Sequence, residues 1–146
     1  MLLRLFSVFL LLPPLPGPPA TFYTTYSYTA YTVYDYTTDE PPTKVPGVGG
    51  TLTLRADSTY DKRLSLLIGD SGPRYFSQQG RFTTQGDSIF FRFTDQNGTD
   101  VQRGTFHYEA ATRRLSITIA GYPAGNKGEY ELAALAPPAR PRKKHR

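Results

Sequence analysis

The stretch whose residue types most suggest chemistry is Gly69-Asp70-Ser71-Gly72-Pro73. A serine among small residues can act as an acyl-transfer nucleophile if a histidine takes its proton and an acid orients that histidine. The chain holds two histidines, His107 and His145, and His145 lies in a terminal run of basic residues. His107 shares its strand face with Thr105 and Glu109, which predicts a solvent-facing position. Asp, Ser, Gly and Pro are also the residues that turns require, so a turn is expected at 69–73. Asp95-Gln96-Asn97-Gly98-Thr99-Asp100 groups side-chain oxygens, as calcium loops do. Calcium takes six to eight oxygens and usually a late bidentate Glu, which this stretch lacks. Asn-Gly marks a hairpin turn instead. Asn97-Gly98-Thr99 is also formally a glycosylation sequon.

The chain has no Cys, which excludes disulfides, thiol catalysis and thiolate metal sites. No pair of carboxylates is spaced for acid–base work. No catalytic residue, metal ligand or cofactor is therefore expected, and the protein reads as a non-enzyme.

The aromatic residues are the better candidates for function. There are 11 Tyr and 9 Phe, and no Trp. Residues 21–38 read TFYTTYSYTAYTVYDYTT, with Phe22, Tyr26, Tyr28, Tyr34 and Tyr36 on even positions and Tyr23, Tyr31 and Val33 as exceptions. Thr and Tyr favour strands, so one long strand is expected, bent or bulged near Ala30. Its tyrosines either cover one end of a core or offer a stacking surface.

These residues need a scaffold, and residues 80–119 supply its spine. Ile89, Phe91 and Phe93 alternate with Phe90, Arg92 and Thr94, and Leu115, Ile117 and Ile119 alternate with Ser116 and Thr118. Period-two alternation gives each strand one apolar face. Turn residues separate these runs at 85–87, 95–98 and 109–112. Further strands are expected at 50–56, 59–68, 74–79 (continuing over 80–84 beyond a bulge at Gly80) and 129–135. Glycines recur near strand starts in Gly50-Thr-Leu, Gly80-Arg-Phe, Gly104-Thr-Phe and Gly128-Glu-Tyr. Such glycines relieve bending where strands curl round. The expected fold is all-β, a single antiparallel up-and-down meander of about eight strands closing into a barrel. A two-sheet β-sandwich is the alternative.

The formal net charge is +5, from 17 Lys and Arg against 12 Asp and Glu. Setting aside Arg4, Arg140, Arg142, Lys143, Lys144 and Arg146 leaves 11 basic residues against 12 acidic ones. The excess positive charge is thus terminal. Residues 137–146 have no apolar period and are expected to be a disordered basic tail. Arg140, Arg142, Lys143, Lys144 and Arg146 suit contact with an anionic envelope surface, not specific binding of nucleic acid.

At the other terminus, Arg4 precedes an eight-residue apolar run at 5–12. A helix needs about 20 residues to cross a bilayer. The pattern fits a secretory signal peptide over 1–20, with an uncleaved anchor as the alternative. The expected organisation is a signal peptide at 1–20, a barrel domain at 21–136 and a tail at 137–146, in a protein exported to the periplasm or secreted.

The run Leu52-Thr-Leu-Arg-Ala-Asp-Ser-Thr-Tyr60, followed by Gly80-Arg-Phe82, Asp87-Ser-Ile-Phe-Phe91, Gly104-Thr-Phe106 and Leu115-Ser-Ile117, resembles bacterial lipocalin-like proteins of the calycin superfamily. The resemblance covers residues 50–132. It departs from true lipocalins at the first strand, where Gly-x-Trp is expected. It implies an antiparallel barrel and binding of a small apolar ligand, and it transfers no catalytic residue.

The leading expectation is an exported barrel that binds a small apolar or aromatic ligand. Tyr26, Tyr28, Phe82, Phe91, Phe93, Phe106, Tyr108 and Tyr130 are its candidate contacts. Side chains can fill a barrel this small, so a ligand site needs a gap at one mouth. The alternative is a structural or interaction module of the cell envelope. It would have a solid barrel core and meet partners through the Tyr-rich strand or the basic tail. A hydrolase built on Ser71 is the least supported reading.

Overall fold

The computed structural model describes residues 16–136. The apolar run at 5–12, most of the expected signal peptide and the basic tail, with Arg140, Arg142, Lys143, Lys144 and Arg146, lie outside the described residues.

Nine strands follow in order: β1 (Thr25–Tyr34), β2 (Thr43–Lys44), β3 (Gly49–Leu54), β4 (Thr59–Leu67), β5 (Pro73–Gln85), β6 (Ser88–Asp95), β7 (Gly98–Glu109), β8 (Arg114–Ala120) and β9 (Lys127–Ala134). From β3 to β9 each strand pairs antiparallel with the next, and β1 pairs with both β3 and β9. Eight strands thus close into a barrel. The two-residue β2 is an addition that pairs with the distal half of β1. Closure leaves the β1–β9 seam hydrogen-bonded along its length, from Tyr26 opposite Ala134 to Tyr34 opposite Lys127.

Short polar connections set the register. β6 and β7 are joined by Gln96 and Asn97, with Asp95 opposite Gly98. Asp95 Oδ1 accepts the Asn97 amide at 2.7 Å, and the Thr94 and Thr99 hydroxyls meet at 2.9 Å. The Asp95 carboxylate therefore closes a hairpin turn. Ser71 lies exposed in the connection between β4 and β5. His107 lies exposed near the opposite end of the barrel, two residues before β7 ends. The meander thus separates these two residues.

Three details differ from the sequence reading. Residues 20–22 form a 3-10 turn, and β1 spans only Thr25–Tyr34 rather than all of 21–38. Asp35 stops the strand, because its Oδ1 accepts both the amide (2.9 Å) and the hydroxyl of Thr37. The bulge expected at Gly80 is absent. β5 runs 13 residues, and its pairings with β4 and β6 show no register shift. Glycine is needed there for close approach, since a Cβ at Gly80 would lie 2.0 Å from the Arg92 carbonyl oxygen.

The bulge expected near Ala30 is present, between Tyr28 and Ala30. One extra residue reverses the side-chain parity of the strand. Tyr26 and Tyr28 face the interior before it, and Tyr31 takes the inward position opposite Tyr130 after it. This accounts for the odd-numbered Tyr31 and Val33 in an otherwise even pattern.

The barrel interior is the hydrophobic core. Leu52, Leu54, Tyr60, Leu64, Phe82, Ile89, Phe91, Leu115, Ile117 and Leu132 fill it with Tyr26 and Tyr28. Phe22 caps one end and is fully buried. Its ring lies 5.3 Å from Phe106 and 5.6 Å from Tyr108. The Tyr26 hydroxyl donates to the Phe22 carbonyl at 2.6 Å, and the Tyr108 hydroxyl donates to Thr21 Oγ1 at 3.0 Å.

Candidate functional site

With one end capped by Phe22, the opposite end is the mouth. Four connections gather there: β1 to β3, β4 to β5, β6 to β7 and β8 to β9. Below the mouth the interior is almost solid. The narrow void between Tyr28, Leu52, Lys62, Gln78, Phe91, Gln102, Ile117, Ile119 and Tyr130 measures about 20 Å³. That is room for about one water molecule. Above it a basin of about 390 Å³ opens to solvent, lined by Tyr31, Lys62, Leu64, Leu66, Phe76, Ser77, Gln78, Gln102 and Tyr130.

The aromatic wall of the basin comes from the closing seam. Tyr31 and Tyr130 are opposite residues of β1 and β9, stacked with ring centroids 4.3 Å apart and planes 2° from parallel. Tyr28 meets Tyr130 edge-on at 5.7 Å. Gly128 makes the stack possible, since a Cβ there would lie 2.9 Å from the Tyr31 ring.

The floor is polar. Lys62 sits on β4 opposite Leu52 of β3 and Gln78 of β5. The Tyr60 hydroxyl donates to Gln78 Oε1 at 2.8 Å, which leaves the Gln78 amide nitrogen as a donor. Gln102 of β7 lies opposite Phe91 of β6. Lys62 Nζ stands 5.6 Å from the Tyr130 ring centroid, within cation–π range. Among the described residues the one side-chain ion pair joins Arg55 and Asp61. Lys62, half-buried, has no carboxylate partner there. Burial pulls its pKa below the ordinary lysine value. Burial also raises the pKa of Tyr28, Tyr60 and Tyr130 well above the usual tyrosine range, with Tyr31 adding to the rise at Tyr130.

The aromatic residues singled out from the sequence divide between the two ends. Tyr28, Phe91 and Tyr130 border the void, and Tyr130 continues into the basin. Phe93 is half-buried and borders an adjoining open cleft of about 620 Å³ with Lys62, Gln78 and Asp95. Tyr26, Phe82, Phe106 and Tyr108 gather at the capped end. Tyr26 meets Tyr108 at 6.5 Å, and Phe82 meets Phe22 at 6.4 Å. Lys62, Gln78, Gln102 and Tyr31 complete the mouth and were not among those candidates. Their signal was parity: Lys62 alternates in step with Tyr60 and Leu64, Gln78 with Gly80 and Phe82, and Gln102 with Gly104 and Phe106.

The geometry defines a closed antiparallel barrel, capped at one end, with an aromatic and cationic basin at the other. Comparison with protein-family models, with curated proteins and with solved structures gives no match to this chain.

Proposed function

We propose that the protein is a non-catalytic, exported, lipocalin-like barrel that binds a small apolar or aromatic molecule in its mouth. The observation that carries this reading is the basin of about 390 Å³, walled by the Tyr31–Tyr130 stack and by Leu64, Leu66 and Phe76. Ligand sites are concave, mostly apolar, and commonly 300–1,000 Å³, with a few polar groups that orient the ligand. A ligand would rest on the filled core without displacing it.

Export is read from Arg4 and the apolar run at 5–12. Ala20 is exposed. Cleavage after it would leave Thr21 and Phe22 on the barrel and would remove the Pro19 and Ala20 carbonyls that accept the Phe22 and Tyr23 amides. Basic residues at 140–146 would add contact with anionic envelope surfaces.

A second reading has its own observation. The hairpin of β4 and β5 exposes Leu67, Ile68, Tyr75 and Phe76, which suits a structural or interaction module with a solid core.

Native mass spectrometry of the protein purified from its own host separates the two. A retained small molecule, released by Tyr130→Ala, is the expected result. A ligand-free chain of unchanged mass, with equal uptake of aromatic probes by wild type and Tyr130→Ala, would favour the interaction module.

A further inference from the structure

We propose that the mouth selects ligands bearing a carboxylate head on an aromatic or alkyl body, with Lys62 as the anchoring cation and the Gln78 and Gln102 amides beside it. The inference rests on the reading of the mouth as a binding site and adds the ligand's class.

Three inward positions on three strands carry polar side chains at the floor of the basin, and all three border both the void and the basin. Lys62 and Gln78 are register partners on β4 and β5. Gln78 is oriented by the Tyr60 hydroxyl, so the nitrogen end of its amide remains to donate. An ammonium with amide N–H donors is a set suited to an anion.

Lys62 forms no ion pair among the described residues. A cation withdrawn from water is costly unless it is paired. The Tyr130 ring face offsets only part of that cost. Asp61 belongs to the Arg55 pair, while Asp95 and Asp100 at the rim accept the amides of Asn97 and Val101 and form no ion pair with Lys62. Packing alone would be better served by Met or Leu at position 62. A lysine there is explained by an anion arriving from outside. One ammonium with neutral amides balances a monoanion and leaves a dianion half-neutralised, which favours carboxylate over phosphate. The stacked tyrosines then lie beside the body of the ligand.

The test is calorimetric titration of the full chain at neutral pH with naphthalene-2-carboxylate and octanoate, each against its neutral carboxamide. Both acids should bind about tenfold or more tightly than their amides, the scale of one charge-assisted hydrogen bond. Lys62→Met should abolish that preference while keeping amide binding, and Lys62→Arg should retain it. Circular dichroism would confirm that both variants fold. Equal binding of acid and amide, or a preference that survives Lys62→Met, would overturn the carboxylate inference and leave the mouth site standing. No binding of either pair at millimolar concentration would overturn both.

Discussion

Tyr31 and Tyr130 stack face to face, with ring centroids 4.3 Å apart, across the pairing of the first and last barrel strands. The contact joins residues that are far apart in the chain. It exists because a one-residue bulge turns Tyr31 inward and because Gly128 leaves room for its ring. The same stack closes the barrel at the mouth and walls the basin. Stability and the proposed ligand binding therefore meet at this pair, and they can be separated by experiment.

The capped end carries stability and no part of the basin. Phe22→Ala removes a fully buried ring that contacts Phe106 and Tyr108. It should lower unfolding free energy by about 3–5 kcal/mol, the usual cost of Phe-to-Ala in a core. Urea denaturation followed by circular dichroism measures it. An unchanged midpoint would show that the cap is not part of the folded unit.

Close strand approach should make Gly104 intolerant of any side chain. A Cβ at Gly104 would lie 2.1 Å from the Thr118 carbonyl oxygen, and backbone cannot yield as a side-chain tip can. Gly104→Ala should cost more than about 2 kcal/mol or prevent folding. Thr112→Ala, at an exposed position in the turn between β7 and β8, should stay within about 0.5 kcal/mol of wild type. Equal thermal midpoints for the two variants would contradict the closed-barrel geometry.

Four tyrosines should resist alkali. Burial raises the pKa of Tyr26, Tyr28, Tyr60 and Tyr130, in Tyr26 with help from Tyr108 and in Tyr130 with help from Tyr31. The folded state holds these protons more tightly than the unfolded chain does. The stabilisation is complete below the ordinary pKa of about 10 and is lost as pH rises above it. Phenolate absorbance should therefore rise in two stages, the second coinciding with loss of β-sheet signal. A single stage for all 11 tyrosines with the sheet intact would refute the burial pattern.

Lys62 should act in the opposite sense. Its pKa is lowered by burial, so the unfolded chain holds a proton that the folded chain releases first. Its destabilising effect is full below the lowered pKa and fades as pH rises towards the ordinary lysine value. Lys62→Met should raise neutral-pH stability by about 1 kcal/mol, because an apolar side chain replaces an unpaired cation. The gain should shrink as pH rises towards the ordinary lysine value, below the range in which the buried tyrosines ionise. Thermal melts of both proteins from neutral pH up to the ordinary lysine value would show the two curves converging. A Lys62→Met variant less stable than wild type at neutral pH would mean that the lysine supports the fold.

Much of the architecture was legible in the residues themselves. Alternation at 89–93 and 115–119 marked inward faces, because a strand's period of two is a local property. Asn97-Gly98 and Gln85-Gly86-Asp87 marked hairpins, because turn chemistry is local too. Parity also marked Lys62, Gln78 and Gln102 as inward, although their polarity disguised them.

Tertiary structure decided what depends on partners distant in the chain. The bulge after Tyr28 changed which tyrosines face inward, and no local rule located it to the residue. Burial of Phe22 needed Phe106 and Tyr108 to converge on it from β7. That Lys62 forms no ion pair among the described residues became evident only when β4, β5, β7 and β9 were wrapped round one lumen. Amino-acid order determined that strands form and which faces are apolar. Closure of β1 on β9 determined which end is sealed, which is open, and what an entering molecule would meet.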